Sequence, residues 1–265
     1  MLIDTHAHLD FKDFDTDRDE VVSRAAKAGV SYIINPGCDL ATSQKAIELS
    51  RSYEMVYAAV GIHPNSTSVA KPGDFVEIAR LAENAENAEN AVDGKKSKVV
   101  AIGEIGLDFY RDRAPKDIQV RALRGQLDLA RELDLPVIIH FRNVEFEGID
   151  LIGTDNLKGL RGVFHCFGGS PEFAKKVMAM GFYLGFDGPL TYKKSDRTDV
   201  ALEVPLEKCL LETDAPFLTP QKYRGQRNEP AYVVEVAEKM AELKNCGIDE
   251  VIEVTGQNAR TLFGI

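Results

Sequence analysis

Short β-branched apolar runs alternate with longer amphipathic stretches along the whole chain, and this alternation restricts the fold more than any other feature. This is the pattern of successive βα units around a parallel sheet. The strand-like runs lie at 2–7, 32–35, 55–61 (MVYAAVG), 99–105 (VVAIGEI), 136–140 (PVIIH), 162–165, 182–185 and 209–212. Helical stretches are expected near 18–28, 40–51, 75–90, 117–133, 146–152 and 171–180, with two more, 231–243 and 248–263, finishing the chain. Eight such strands in 265 residues point to a closed (β/α)8 TIM barrel rather than two open sheets, with one domain spanning 1–265. A barrel of this kind builds its active site at the C-terminal ends of the strands.

One segment departs from the pattern. Glu83 to Glu89 repeats Glu-Asn-Ala and runs on to Lys95 and Lys96, and a period of three places no apolar stripe on a helix. It reads as a solvated helix end plus a polar loop. The net charge of −10 argues against non-specific affinity for phosphate backbones, so a nucleic-acid substrate would need local help from metals or a few arginines. With no apolar run of about eighteen residues and no charged-then-apolar leader, neither a membrane span nor a signal peptide is expected, and the expected location is cytoplasmic. No obligate protein partner is evident. The four cysteines, Cys38, Cys166, Cys209 and Cys246, form no Cys-x-x-Cys unit, which suits a reducing compartment. Cys166 adjoins His165, but neighbours on a strand face opposite ways, which disfavours a Cys-His nucleophile.

The strand ends then decide the chemistry. His6 and His8 close the first run, His63 follows the third in Gly61-Ile62-His63-Pro64, and Glu104 closes the fourth. His140 closes the fifth, His165 the sixth, and Asp214 follows the eighth. The chain has five histidines and every one sits at such an end. By strand parity Ile102 shares a face with Glu104, Ile138 with His140, Val163 with His165, and Leu210 with Glu212 and Asp214. Imidazoles with carboxylates suit zinc, manganese or a similar divalent ion, whereas magnesium alone would prefer more oxygen. The set exceeds what one tetrahedral ion needs, and two divalent ions sharing a carboxylate use it more fully. Glu212 and Asp4 lie one layer below Asp214 and His6 on the same face, each either supporting the site by a hydrogen bond or pairing with a buried donor.

These motifs, in order, carry a resemblance. DTHAHLD, GIHP, GEIGLD, PVIIHFR, FHCFGG, ETDAPFLTP, RGQRNEP and NARTLFGI resemble the TatD family of metal-dependent deoxyribonucleases, within the amidohydrolase-like metallohydrolases, from end to end. The resemblance implies a (β/α)8 barrel, a divalent metal site (Zn, Mn or Mg) and hydrolysis of phosphodiester bonds in DNA as an exonuclease. Single strands or ends are the expected substrate, because a deep site at a barrel mouth admits a strand more easily than an intact duplex. It implies further that His6, His8 and Asp214 hold one metal, His140 and His165 a second, and that Glu104 bridges them. Asp214 is also expected to take a proton from the attacking water as general base. His63 is expected to touch the scissile phosphate or a metal-bound water, against the plainer reading of a loop-packing histidine. Arg142 and the loop bearing Lys222, Tyr223, Arg224, Arg227 and Asn228 are candidates to hold phosphates, because the arginine fork matches phosphate oxygens.

The departures are modest. The strand-five histidine is followed by Phe141-Arg142-Asn143-Val144 where the family usually reads Ser-Arg-Asp-Ala, and Gly168 stands where a serine is usual. The Glu-Asn-Ala segment looks like an insertion. Two rival functions remain at this point: a metal-dependent deacylase of aminoacyl-tRNA or another ester or amide, and a non-catalytic nucleic-acid-binding barrel.

Overall fold

The computed structural model describes residues 1–83, 98–111 and 113–265; the repeat from residue 84 onward lies outside the described residues. The strands are β1 (Leu2–Asp4), β2 (Val30–Pro36), β3 (Val56–Val60), β4 (Val99–Asp108), β5 (Val137–Arg142), β6 (Gly162–His165), β7 (Tyr183–Phe186) and β8 (Cys209–Leu211). The helices are α1 (Arg18–Lys27), α2 (Leu40–Ser52), α3 (Pro72–Glu83), α4 (Lys116–Glu132), α5 (Glu145–Ile152), α6 (Pro171–Ala179), α7 (Thr198–Glu203), α8 (Val233–Lys244) and α9 (Ile248–Phe263). The sheet has eight strands in the order β1 to β8, and the fold is a TIM-type (β/α)8 barrel. By contact density the chain forms two compact units, Met1–Asn35 with His165–Ile265, and Pro36–Phe164.

In the first unit β1 pairs in parallel with β2 and β7 with β8. The ends of β1 and β8 are adjacent: the N–H of Thr5 donates to Leu211 O at 3.0 Å, that of Asp214 to His6 O at 2.8 Å, and that of His8 to Ala215 O at 2.8 Å. The Asp4 carboxylate, fully buried, accepts from the N–H of His6 (3.2 Å), the N–H of Thr213 (2.9 Å) and Thr213 Oγ1 (2.6 Å). Regular pairing of β1 therefore stops at Asp4, and the expected strand 2–7 is shortened. Ala7 rejoins through an isolated bridge to Ala215. On the outer side, α6 starts where Ser170 accepts from the Phe173 N–H with Pro171 in the first turn. In α9, Asn258 donates to Leu206 O and Cys209 O, fixing the entry to β8.

In the second unit β4 pairs with β3 and β5. β4 runs on to Asp108, beyond the end expected at Ile105, so Glu104 lies inside the strand. Ile102 pairs with Val137 and Ile105 with Ile139, so three residue steps on β4 match two on β5. Such a bulge re-aims a side chain, here around Glu104. Two buried glutamines on α4 hold the strand ends. Gln126 Oε1 accepts from the Ile62 N–H at 2.7 Å while its amide donates to Ile62 O at 3.1 Å. Gln119 Oε1 accepts from the Asp108 N–H at 2.8 Å. These contacts supply what buried backbone groups need when the ladder ends. Asp39 and Thr42 form a reciprocal capping box at the start of α2.

Among the described residues, no helix is long and apolar enough to cross a membrane.

Candidate metal centre

In the first unit the ends of β1, β6 and β8 bring His6, His8, His165, Glu212 and Asp214 together. His6 Nε2 and His8 Nε2 are 3.2 Å apart, and Asp214 Oδ1 lies 3.8 Å from the former and 3.5 Å from the latter. Ligands about 2.0–2.1 Å from a tetrahedral ion stand roughly 3.4 Å from each other. The three atoms therefore have the mutual spacing of ligands. Burial opposes the Asp214 charge, but a hydrogen bond from His8 and the imidazoles of His6, His8 and His165 hold its carboxyl below the usual range. Asp214 takes a left-handed backbone conformation, φ 56°, which Asp tolerates better than most residues.

The His165 ring stacks on His6 with centroids 3.9 Å apart, and its Nδ1 faces Glu212 Oε1 at 3.7 Å. Glu212 Oε1 also accepts the Cys166 N–H. Burial pushes the Glu212 carboxyl up against the opposing pull of His165. Glu212 fits here only because residue 185 is glycine: a Cβ there would lie 2.4 Å from Glu212 Oε2. Glu212 Oε2 and Asp187 Oδ2 are buried with no hydrogen-bond partner among the described residues. Buried acceptors left in that state are costly, and a cation in the cluster relieves the cost.

Within the second unit a further set of groups gathers around Glu104. Glu104 Oε1 is 2.8 Å from His140 Nδ1 and 3.4 Å from His63 Nε2, and Glu104 Oε2 lies 3.8 Å from Cys38 Sγ. His140 presents its other nitrogen to Asp108 Oδ2 at 3.6 Å, and Asn65 Nδ2 donates to the same oxygen at 2.9 Å. Burial disfavours the Asp108 charge, yet the nearby His140 imidazole and hydrogen bonds from the Arg111 N–H and Asn65 hold its carboxyl well below the usual range. This is the arrangement of a ligand histidine oriented by a carboxylate behind it. His63 is different. Its Nδ1 accepts the Asn65 N–H at 3.0 Å, so a neutral ring carries its proton on Nε2, toward Glu104. A protonated nitrogen donates and does not ligate.

The expected phosphate-holding residues are placed unevenly. The Arg142 guanidinium lies 4.3 Å over the ring of Tyr110, which is 67 % exposed. Arg224 lies 4.5 Å over Tyr192. Arg227 pairs with both carboxylate oxygens of Asp17, at 2.8 and 2.7 Å, tying its loop to the start of α1. Asn228 is fully buried and donates to Thr213 O and Phe217 O, bracing the loop after β8.

Three residues stand in the clusters without having been singled out from the sequence. Asp108 shares strand parity with Glu104. Asp187 directly follows β7 and pairs with Arg197, so the strand-end test applied to β7 finds it. Cys38 offers no such signal. Cys166 turns out of β6 at φ 49°, and burial pushes its thiol well up, which leaves no thiolate for nucleophilic attack.

The chain is similar to known proteins over its whole length. Residues 3–264 match the family described as TatD related DNase. The chain is 42 % identical to the metal-dependent hydrolase YabD of Bacillus subtilis over the full length of both. It is 34 % identical to the 3'-5' ssDNA/RNA exonuclease TatD of Salmonella typhimurium, over 100 % of this chain and 99 % of that one. The crystal structure of the TatD homologue YjjV from Escherichia coli superposes with a TM-score of 0.90 at 33 % identity, over 100 % of this chain and 98 % of that chain. With imidazoles and carboxylates gathered at its strand ends and this likeness over its whole length, the chain belongs to the TatD family of metal-dependent hydrolases.

Proposed function

We propose that this hydrolase cleaves phosphodiester bonds in DNA, acting on single strands or ends as an exonuclease, with the whole chain working as one domain in the cytoplasm. The observation that carries the reading is the ligand-like spacing of His6, His8 and Asp214, joined to full-length similarity to a relative named as a single-strand exonuclease. His6, His8 and Asp214 would hold one divalent ion, His140 and His165 take part in holding a second, and Glu104 would serve both, with Zn, Mn and Mg as candidates. Such ions lower the pKa of bound water toward neutrality and offset charge on a phosphoryl oxygen.

The chain's own groups do the rest. Asp214, whose side chain is partly exposed, accepts the proton of the attacking water. His63 donates from Nε2 to a phosphoryl oxygen, and the backbone N–H of Asn65 keeps its ring in the donating tautomer. Arg142 and Arg224 hold flanking phosphates, each already set over an aromatic face. Arg227 and Asn228 act one step back, as braces of the loop that carries Arg224. Four free cysteines suit a reducing compartment.

The test is cleavage of labelled single-stranded DNA and of aminoacyl-tRNA by the purified protein, with manganese, magnesium or zinc added and then chelated. Metal-dependent shortening of DNA is expected. Deacylation without DNA cleavage would replace this reading with the ester-hydrolase one, and binding without cleavage of either would leave a nucleic-acid-binding barrel.

A further inference from the structure

An aromatic ladder leads out from the first cluster. His8 stacks on Phe11 with centroids 4.7 Å apart and planes at 20°, and Phe11 meets Phe217 edge to face at 5.9 Å and 74°. Phe217 is 49 % exposed. One exposed phenyl ring means little by itself, since most protein surfaces carry some. This one differs in two respects. Its backbone is pinned, with its N–H donating to Asp214 O at 2.9 Å and its carbonyl accepting from buried Asn228 at 2.6 Å. It also stands two ring contacts from a proposed metal ligand whose Nε2 is 3.5 Å from Asp214.

We infer that Phe217, backed by Phe11, is the stacking platform for the nucleobase beside the scissile phosphate, the terminal base of a single strand. The inference rests on the phosphodiesterase reading and names the part of the substrate that the metal cluster leaves unrecognised. A phenyl ring has no donor or acceptor, so it takes any base by its π-face, which suits an exonuclease that must accept each new end. The edge-to-face contact with Phe11 restricts the Phe217 ring plane, and a pre-ordered ring loses little freedom when a base lands on it. The same loop carries Arg224 for the neighbouring phosphate.

The chain has no tryptophan, so Phe217→Trp installs a single indole reporter at the platform. Phosphorothioate single strands that differ only in a terminal base or a terminal abasic sugar are titrated into this variant. Quenching by the base-bearing strand and none by the abasic strand is expected. Unmodified strands of both kinds are then assayed for cleavage: the wild type should prefer the base-bearing end about tenfold in KM, and Phe217→Ala should bring that ratio near one. The ratio is internal to each protein, so a partly misfolded variant cannot mimic the result. Equal KM for the two ends in an active wild type, or an indole indifferent to the terminal base, overturns the platform and leaves the phosphodiesterase reading standing. A wild type that cleaves neither strand with any metal overturns the phosphodiesterase reading itself.

Discussion

Asp4 is the joint on which the first cluster is hung, and Asp4→Ala tests that directly. The variant strips the acceptor from the buried N–H groups of His6 and Thr213 and from the Thr213 hydroxyl. The hydroxyl can turn elsewhere, but two buried N–H groups are left without an acceptor at about 1–3 kcal/mol each. A total of about 3 kcal/mol is a large share of the roughly 5–15 kcal/mol that holds a domain together, and for a chain of this length it lowers Tm by roughly 6–12 °C. Asp4→Asn keeps one oxygen for both N–H groups and turns its amide toward the hydroxyl, so it should stay within about 1 kcal/mol of the wild type. The assay is thermal and urea unfolding in a chelating buffer, which removes any contribution from bound metal. Burial pushes the Asp4 carboxyl up to about 8, so its hold near neutral pH is by acceptance at Oδ1 rather than by charge. If Asp4→Asn is as destabilised as Asp4→Ala, that acceptance does not hold the joint; if Asp4→Ala costs under about 0.5 kcal/mol, Asp4 does not hold it at all.

Three further expectations follow from single contacts. Gly185→Ala pushes a methyl group against Glu212, which should cost about 1–3 kcal/mol and weaken metal affinity roughly tenfold or more through His165; unchanged affinity by chelator competition would rule out the Glu212 support. Asp17 is held below the usual carboxylate range by hydrogen bonds from Arg227, then Arg24, so its contribution is present above its unfolded pKa and is lost as pH falls through the folded one. Asp17→Asn should therefore lose up to about 1 kcal/mol at neutral pH, with the gap from the wild type closing below about pH 4, and a pH-independent gap would contradict the ion pair. Arg142→Ala should raise KM for single-stranded DNA about tenfold with kcat and metal content kept, whereas a fall in metal content would move Arg142 out of the phosphate-holding role.

Much of the fold is legible in the sequence because a strand covered by its own helix leaves a two-part signature, and that signature recurs. The ligand types were legible because the histidines cluster at strand ends, where a barrel gathers its chemistry. Strand boundaries were less so. β1 stops at Asp4 because its carboxylate takes over N–H groups that a strand would pair, and β4 carries a bulge at Glu104 that no periodicity announces. Arg227 and Asn228 read as candidates to hold phosphates, yet Arg227 pairs with Asp17, some two hundred residues away, and Asn228 is buried under its own loop. Asp108 escaped because its partner His140 lies on another strand, and only the register of β4 with β5 brings them face to face.

The strand-end clusters are proposed to hold divalent metal, with Glu104 in the holding set, and bound metal per chain can be read by mass spectrometry on wild type and Glu104→Gln purified side by side. Two ions are expected in the wild type, with loss of metal and of nearly all DNA cleavage in the variant. Equal metal content in the two proteins would remove Glu104 from the holding set.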